Sequence, residues 1–255
     1  MDHYGLITVH EVQPHDIAAM REAYNAEMNC QVVHDSIHRR AGWTREFGIL
    51  DGGRMVAYAS VAVGGPWSDK PTFYEFYATP ARRSRAYALF DAFLSAARPP
   101  AFEVQSSDVI TTTLALTFAR DVTTDRVIFR DGSTTTQQVP GATLQCVTTS
   151  ADIQSAIAAR QGGGEWLLEL DGTVIGRGGI LFHYNVPYGD VHMHIDESFR
   201  RRGYGSYLVQ ELKRLCYELG AIPAARCNPA NTASIWTLQR AGMLPSGLIL
   251  AGAFR

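Results

Sequence analysis

The chain has 255 residues, 46% apolar and 19% charged, with 25 acidic against 23 basic side chains. At about 150 residues per domain it makes one large domain or two small ones, either able to bury a core. An aromatic content of 10% without low-complexity tracts excludes disorder, collagen-like repeats and coiled coil, and a formal charge of -2 argues against wholesale binding to nucleic acid or a membrane surface.

The first residues, Met1 to Gly5, lack a basic segment followed by an apolar one, and no run approaches the ~18 apolar residues of a membrane span. A cytoplasmic protein without membrane contact is expected. Cys30, Cys146, Cys216 and Cys227 are scattered with no C-x-x-C pair, which predicts reduced, mostly buried thiols and neither a metal site nor a disulfide framework. Lys70 and Lys213 are the only lysines.

In chain order, Leu6 to Val12 alternates like a strand, and Pro14-His15-Asp16 opens a helix through Ile17 to Met28. Beyond an Arg-rich stretch, Arg45 to Leu50 and Met55 to Val63 flank the hairpin signal Asp51-Gly52-Gly53. Thr72 to Ala78 is a strand, Arg82 to Ala97 a helix stopped before Pro99-Pro100, Phe102 to Gln105 a strand, Ile110 to Ala119 a helix and Arg126 to Arg130 a strand.

The second half repeats this order. Thr143 to Thr148 is strand-like and Ser150 starts a helix to Arg160. Glu165 to Leu170 and Thr173 to Phe182 flank the turn Asp171-Gly172, and Asp190 to Ile195 is the next strand. From Ser206 a helix stripes Leu208, Leu212, Leu215 and Leu219 along one face, with Gly220 as its stop. Ala224 to Cys227 is a strand, Thr232 to Ala241 a helix capped by Asn231, and Leu248 to Ala251 a strand. Two copies of one small α/β unit, residues 1–135 and 140–255, account for the pattern; Gly132 to Gly141 is the join.

The strand ending at Ile195 runs into Arg200-Arg201-Arg202-Gly203-Tyr204-Gly205, and a helix follows at once. Backbone N–H groups at a helix start attract anions, glycines let a pyrophosphate approach them, and arginines add charge. The stretch lacks the first glycine of a G-x-G-x-x-G dinucleotide fingerprint and the Gly-Lys-Ser/Thr of a P-loop.

This loop resembles the acetyl-CoA pyrophosphate loop of the GNAT acetyltransferase superfamily. Asn231-Thr-Ala-Ser234 through Ala241-Gly242-Met243 is similar to that family's Asn-x-x-Ala/Ser…Gly-Phe helix. The resemblance covers roughly residues 140 to 255, and the first half shares the element order alone. It implies a tandem GNAT-like fold of α/β (α+β) class, each unit a mixed, mostly antiparallel sheet flanked by helices. It further implies acetyl-CoA as cosubstrate, with pantetheine beside Ile195 and the pyrophosphate held around Arg200, Arg201, Arg202, Gly203, Tyr204, Gly205 and Ser206. Asn231 is then a ligand to the cofactor, a helix cap, or both.

The implied activity is N-acetyl transfer to a primary amine of a small molecule or peptide by direct attack in a ternary complex, in a monomer or homodimer with no nucleic-acid partner. The alternative is a CoA-binding module without turnover. The family often carries, where Leu238 stands, a Tyr that protonates the departing thiolate; leucine cannot, and Ser234 and Tyr204 are the substitutes. Proton removal from the amine falls to His192 or His194, which share a strand face with Asp190, with Glu169, Glu197 and His183 as further candidates. In the first half, Arg85 and Tyr87 occupy the glycine positions, where left-handed backbone would cost roughly 1–2 kcal/mol per residue, so that copy is expected to be silent and to cover the other. Trp67, Phe73, Tyr74, Phe76 and Tyr77 then either line an acceptor pocket or pack as core.

Overall fold

The structure, a computed structural model, describes residues 6–255. It divides into two compact units, residues 6–29, 37–125 and 248–255 in the first and residues 30–36 and 126–247 in the second.

The first unit contains β1 (Ile7–Val12), α1 (Ala18–Met28), β2 (Thr44–Asp51), β3 (Arg54–Ala62), β4 (Thr72–Ala78), α2 (Ala86–Ala97), β5 (Ala101–Gln105) and α3 (Val109–Phe118). β1 to β4 form an antiparallel meander, β4 pairs parallel with β5 at Thr72 and Phe73, and β5 pairs antiparallel with Ile249 to Ala253. Phe73, Phe76, Phe90, Phe93 and Phe102 fill its core, so Phe73 and Phe76 are packing residues. Tyr74 and Tyr77 are buried as well but spend their hydroxyls on His38 and Glu27.

A charged layer is also buried here. The Arg-rich stretch contains a 3-10 helix at Asp35–Arg39 that brings His38 between two carboxylates: Nδ1 lies 2.9 Å from Glu46 and Nε2 3.4 Å from Glu75. Arg21 of α1 reaches Glu75 at 3.0 Å, and Tyr58 donates to the same carboxylate at 2.7 Å. Arg21 and His38 thus give the two buried glutamates basic partners, which offsets the cost of burying them.

The second unit contains β6 (Ala119–Asp131) from Arg126 onward, β7 (Ala142–Cys146), α4 (Ser150–Ala159), β8 (Gly163–Leu170), β9 (Thr173–Leu181), β10 (Tyr188–Ile195), α5 (Tyr204–Glu218), β11 (Ile222–Cys227), α6 (Thr232–Arg240) and β12 (Met243–Phe254) up to Gly247. β7 to β10 form an antiparallel meander, β10 pairs parallel with β11, and β11 pairs antiparallel with Val127 to Arg130. Leu208, Val209, Leu212 and Cys216 of α5 are fully buried, each large aliphatic contributing about 1.5–3 kcal/mol, and they fix the helix against β10.

The two units therefore repeat one strand order, but the partners of their last strands are exchanged in sequence: β5 pairs with 249–253 and β11 with 127–130. A division at residues 135 and 140 differs from this one for that reason. Residues 132–141 also belong to the second unit, where the buried Lys213 ammonium bonds the Ser133 carbonyl at 2.7 Å. All four cysteines are free thiols; Cys216 and Cys227 are buried, but Cys30 is half-buried and Cys146 exposed, fewer buried than expected. No helix among the described residues is long and apolar enough to cross a membrane.

Candidate active site

β10 and β11 pair only at Tyr188–Asp190 with Ile222–Ala224. Beyond Asp190, β10 stays bonded to β9, while Ala224–Cys227 bonds β6, so the strands part from Val191 onward. At the open end, Ile195 leads through a 3-10 turn, Glu197–Phe199, into the loop that starts α5. Arg201 (φ 62) and Gly203 (φ 88) are left-handed there. A β-carbon on Gly203 would meet no atom within 4 Å, so the need for glycine is conformational; a side chain on Gly205 would press to 3.2 Å from Thr237 Cγ2.

The result is a groove of about 700 Å³ between the end of β10, the start of α5 and the face of α6. Ile195, Arg200, Arg201, Gly203, Gly205, Ser206 and Asn231 line it, as do His194 and Ser234. Asn231 Oδ1 accepts from the Ser234 N–H at 3.0 Å, so the residue caps α6. Arg200 Nε donates to the Ile195 carbonyl at 2.9 Å, tying loop to strand. Arg202 turns over Phe199 and Tyr204 packs toward the same ring, so neither side chain lines the groove. Trp236 and Arg240 line it without having been marked by the sequence; their spacing of four residues, which puts both on one face of α6, was the available signal. Leu238 is buried in the core, away from any proton transfer.

The histidines separate. His192 lies outside the groove, its Nε2 3.1 Å from Glu165 Oε1, a contact laid across Gly179, where a side chain would strike both partners. His194 sits 3.8 Å from Asp196. His183 Nε2 is 3.0 Å from Asp190 Oδ2 at the point where the strands part, with Arg226 Nε 3.9 Å from the same oxygen. Burial, reinforced by the Asp190 charge, pushes the neighbouring Tyr184 phenol well above its ordinary range. No group of three or more metal-ligating side chains occurs among the described residues.

In the first unit the matching loop is a 3-10 turn, Pro80–Arg85, in which Arg85 has φ -105. It avoids left-handed strain by taking another path. Asp51 holds both Arg85 and Arg82, supplying a carboxylate of the chain's own to the arginines.

Residues 138–243 match the model of the acetyltransferase (GNAT) family. This segment is similar to members of that family. The whole chain has the GNAT fold: an acetyltransferase from the GNAT family of Colwellia psychrerythraea aligns with a TM-score of 0.73 at 14% identity, covering 97% of this chain and 100% of that one. A GCN5-related N-acetyltransferase from Sphaerobacter thermophilus aligns at 0.61 and 14% identity, over 96% and 94% of the two chains. A tandem GNAT protein from the clavulanic acid biosynthesis pathway aligns at 0.61 and 14% identity, over 98% of each. No curated protein matches the sequence. The loop before α5 and the capped helix α6, both inside the matched segment, are the two walls of the groove.

Proposed function

We propose that the second unit is an acetyl-CoA-dependent N-acetyltransferase acting on a primary amine of a small molecule or peptide, by direct attack in a ternary complex. The observation that carries this reading is the groove, lined at the start of α5 by Arg201 and Gly203 in left-handed backbone, a form in which successive N–H groups can make an anion-binding concavity. Arg200, Arg201 and Arg240 surround it with positive charge, which suits a diphosphate. The open edge of β10 near Ile195 suits an extended pantetheine.

Acetyl-CoA supplies its acetyl group as an activated thioester. The chain must do the rest, beginning with the amine: with a pKa of about 10.4, only about one molecule per thousand is neutral at pH 7. His192 takes the amine proton at Nδ1, while its Nε2–H donates to Glu165, which orients the imidazole. A second reading gives this task to Asp190 and His183, favoured by their place at the parting of the strands. His194 and Ser234 border the groove, and Ser234 is the candidate donor to the leaving sulfur; a thiol pKa of about 8.5 makes that departure undemanding. Monomeric or homodimeric action in the cytoplasm, without nucleic acid, accompanies this reading.

Calorimetry with acetyl-CoA tests it first: wild type binds and Gly203→Asp does not. Thiol release with a panel of amines separates an enzyme from a CoA-binding module. His192→Ala then lowers kcat by about 10²–10⁴-fold with CoA affinity unchanged, whereas the same loss in Asp190→Asn and not in His192→Ala favours the second reading.

A further inference from the structure

Gln137 lies in the connecting stretch, outside both helices that wall the groove, and touches both. Its Oε1 accepts from Ser206 Oγ at 2.7 Å on the first turn of α5, and its Nε2 donates to the Arg240 carbonyl at 3.1 Å at the end of α6. The Gln210 side chain grips its peptide from both sides, accepting from Gln137 N at 2.7 Å and donating to Gln137 O at 3.0 Å. Every polar atom of the residue is therefore engaged by α5 or α6. The carbonyl of Arg240 can only accept, which fixes Nε2 on that side and Oε1 toward Ser206.

Ser206 is the point of contact with the candidate anion site. Its hydroxyl has one proton and two neighbours within reach, Gln137 Oε1 and the Gly203 carbonyl at 2.9 Å, both acceptors. No proton remains for a phosphate oxygen, so the hydroxyl serves the loop rather than the ligand. It links Gln137 to Gly203, the residue whose left-handed backbone shapes the turn.

We infer that Gln137 is a positioning residue: it holds the turn at Gly203 to Ser206 and the end of α6 at the separation that a diphosphate needs. The inference rests on the reading of the groove as a CoA site. Its effect should fall on the phosphate end of the ligand, because the contacts are all at that end.

The test is calorimetry of the full-length protein with CoA and with pantetheine, which lacks the phosphates, alongside thermal melting. Gln137→Ala should weaken CoA about tenfold, the size of one lost hydrogen bond, leave pantetheine unchanged and move the melting temperature by less than about 4 °C. Ser206→Ala should weaken CoA similarly, and the double variant should be no worse than either single one, since both break the same link. Thr135→Ala, which loses only a bond to Gln210, should bind CoA as wild type does. Wild-type CoA affinity in Gln137→Ala, or equal losses for CoA and pantetheine, overturns the inference. So does wild-type affinity in Ser206→Ala, whether or not Gln137→Ala folds. If wild type itself fails to bind CoA, the functional reading has failed, and that result is distinct from these.

Discussion

Lys213 Nζ lies 3.0 Å from Asp131 Oδ1 and donates to the carbonyls of Ser133 and Ala241, although the side chain is only 2% exposed. One ammonium thus joins the end of β6, the connecting stretch and the end of α6. Lys213→Met would keep the aliphatic stem and strand all three acceptors. We expect it to cost about 3 kcal/mol, read as a lower denaturation midpoint with little change in slope.

The His38 layer sets a pH dependence for the first unit. Burial alone would lower the His38 pKa, but the charge of Glu75 and hydrogen bonds to Glu46 and Glu75 outweigh it and raise the pKa. A raised pKa contributes stability that is complete below the unfolded value near 6.5 and disappears as pH rises through the folded value. Glu75 has the opposite sense. Burial opposes its ionisation, yet Arg21 and His38 hold it far below the usual carboxylate range, so its contribution is complete above that range and is lost progressively as pH falls below it. Urea titrations between pH 6 and 9 should show stability falling on the alkaline side. His38→Gln should flatten that slope while lowering stability near pH 6.

The two loop glycines should fail differently. Gly203→Ala meets open space but a left-handed φ, and should cost about 1–2 kcal/mol of stability while still binding CoA. Gly205→Val places branches against Thr237, Met193 and Ile195 at the floor of the groove. Calorimetry should find CoA binding lost in that variant; retained affinity would show that the ligand avoids this floor.

Trp236 is 70% exposed beside Arg240 in the groove, whereas Trp166 is buried in the core. Filling the groove with CoA should change the tryptophan emission, and Trp236→Phe should abolish the change with most of the affinity intact.

Much of the second unit is legible in its sequence because its signals are local. The parting strand, the glycines after it, the Asn231 cap and the leucine stripe of α5 each act within a few residues. The His38 layer is not legible, since His38, Glu46 and Glu75 come together only when three separate segments pack. The same holds for Asp51 facing Arg85 and for Gln137, an unremarkable glutamine until α5 and α6 close around it. Alternation places the histidines of β10 on one face, but that rule cannot show that His192 leaves the groove for Glu165 while His194 borders it.

The exchanged closing strands bear on how the protein is made. The first half emerges from the ribosome with β5 lacking the neighbour it will have in the finished molecule, because that neighbour is encoded beyond the whole of the second unit. Its sheet can close only once the second unit has been synthesised. Removing residues 248–255 should accordingly strip the N-terminal half of protection in hydrogen exchange before it harms the groove, and a gene cut at the connecting stretch should yield two fragments that each lack an edge.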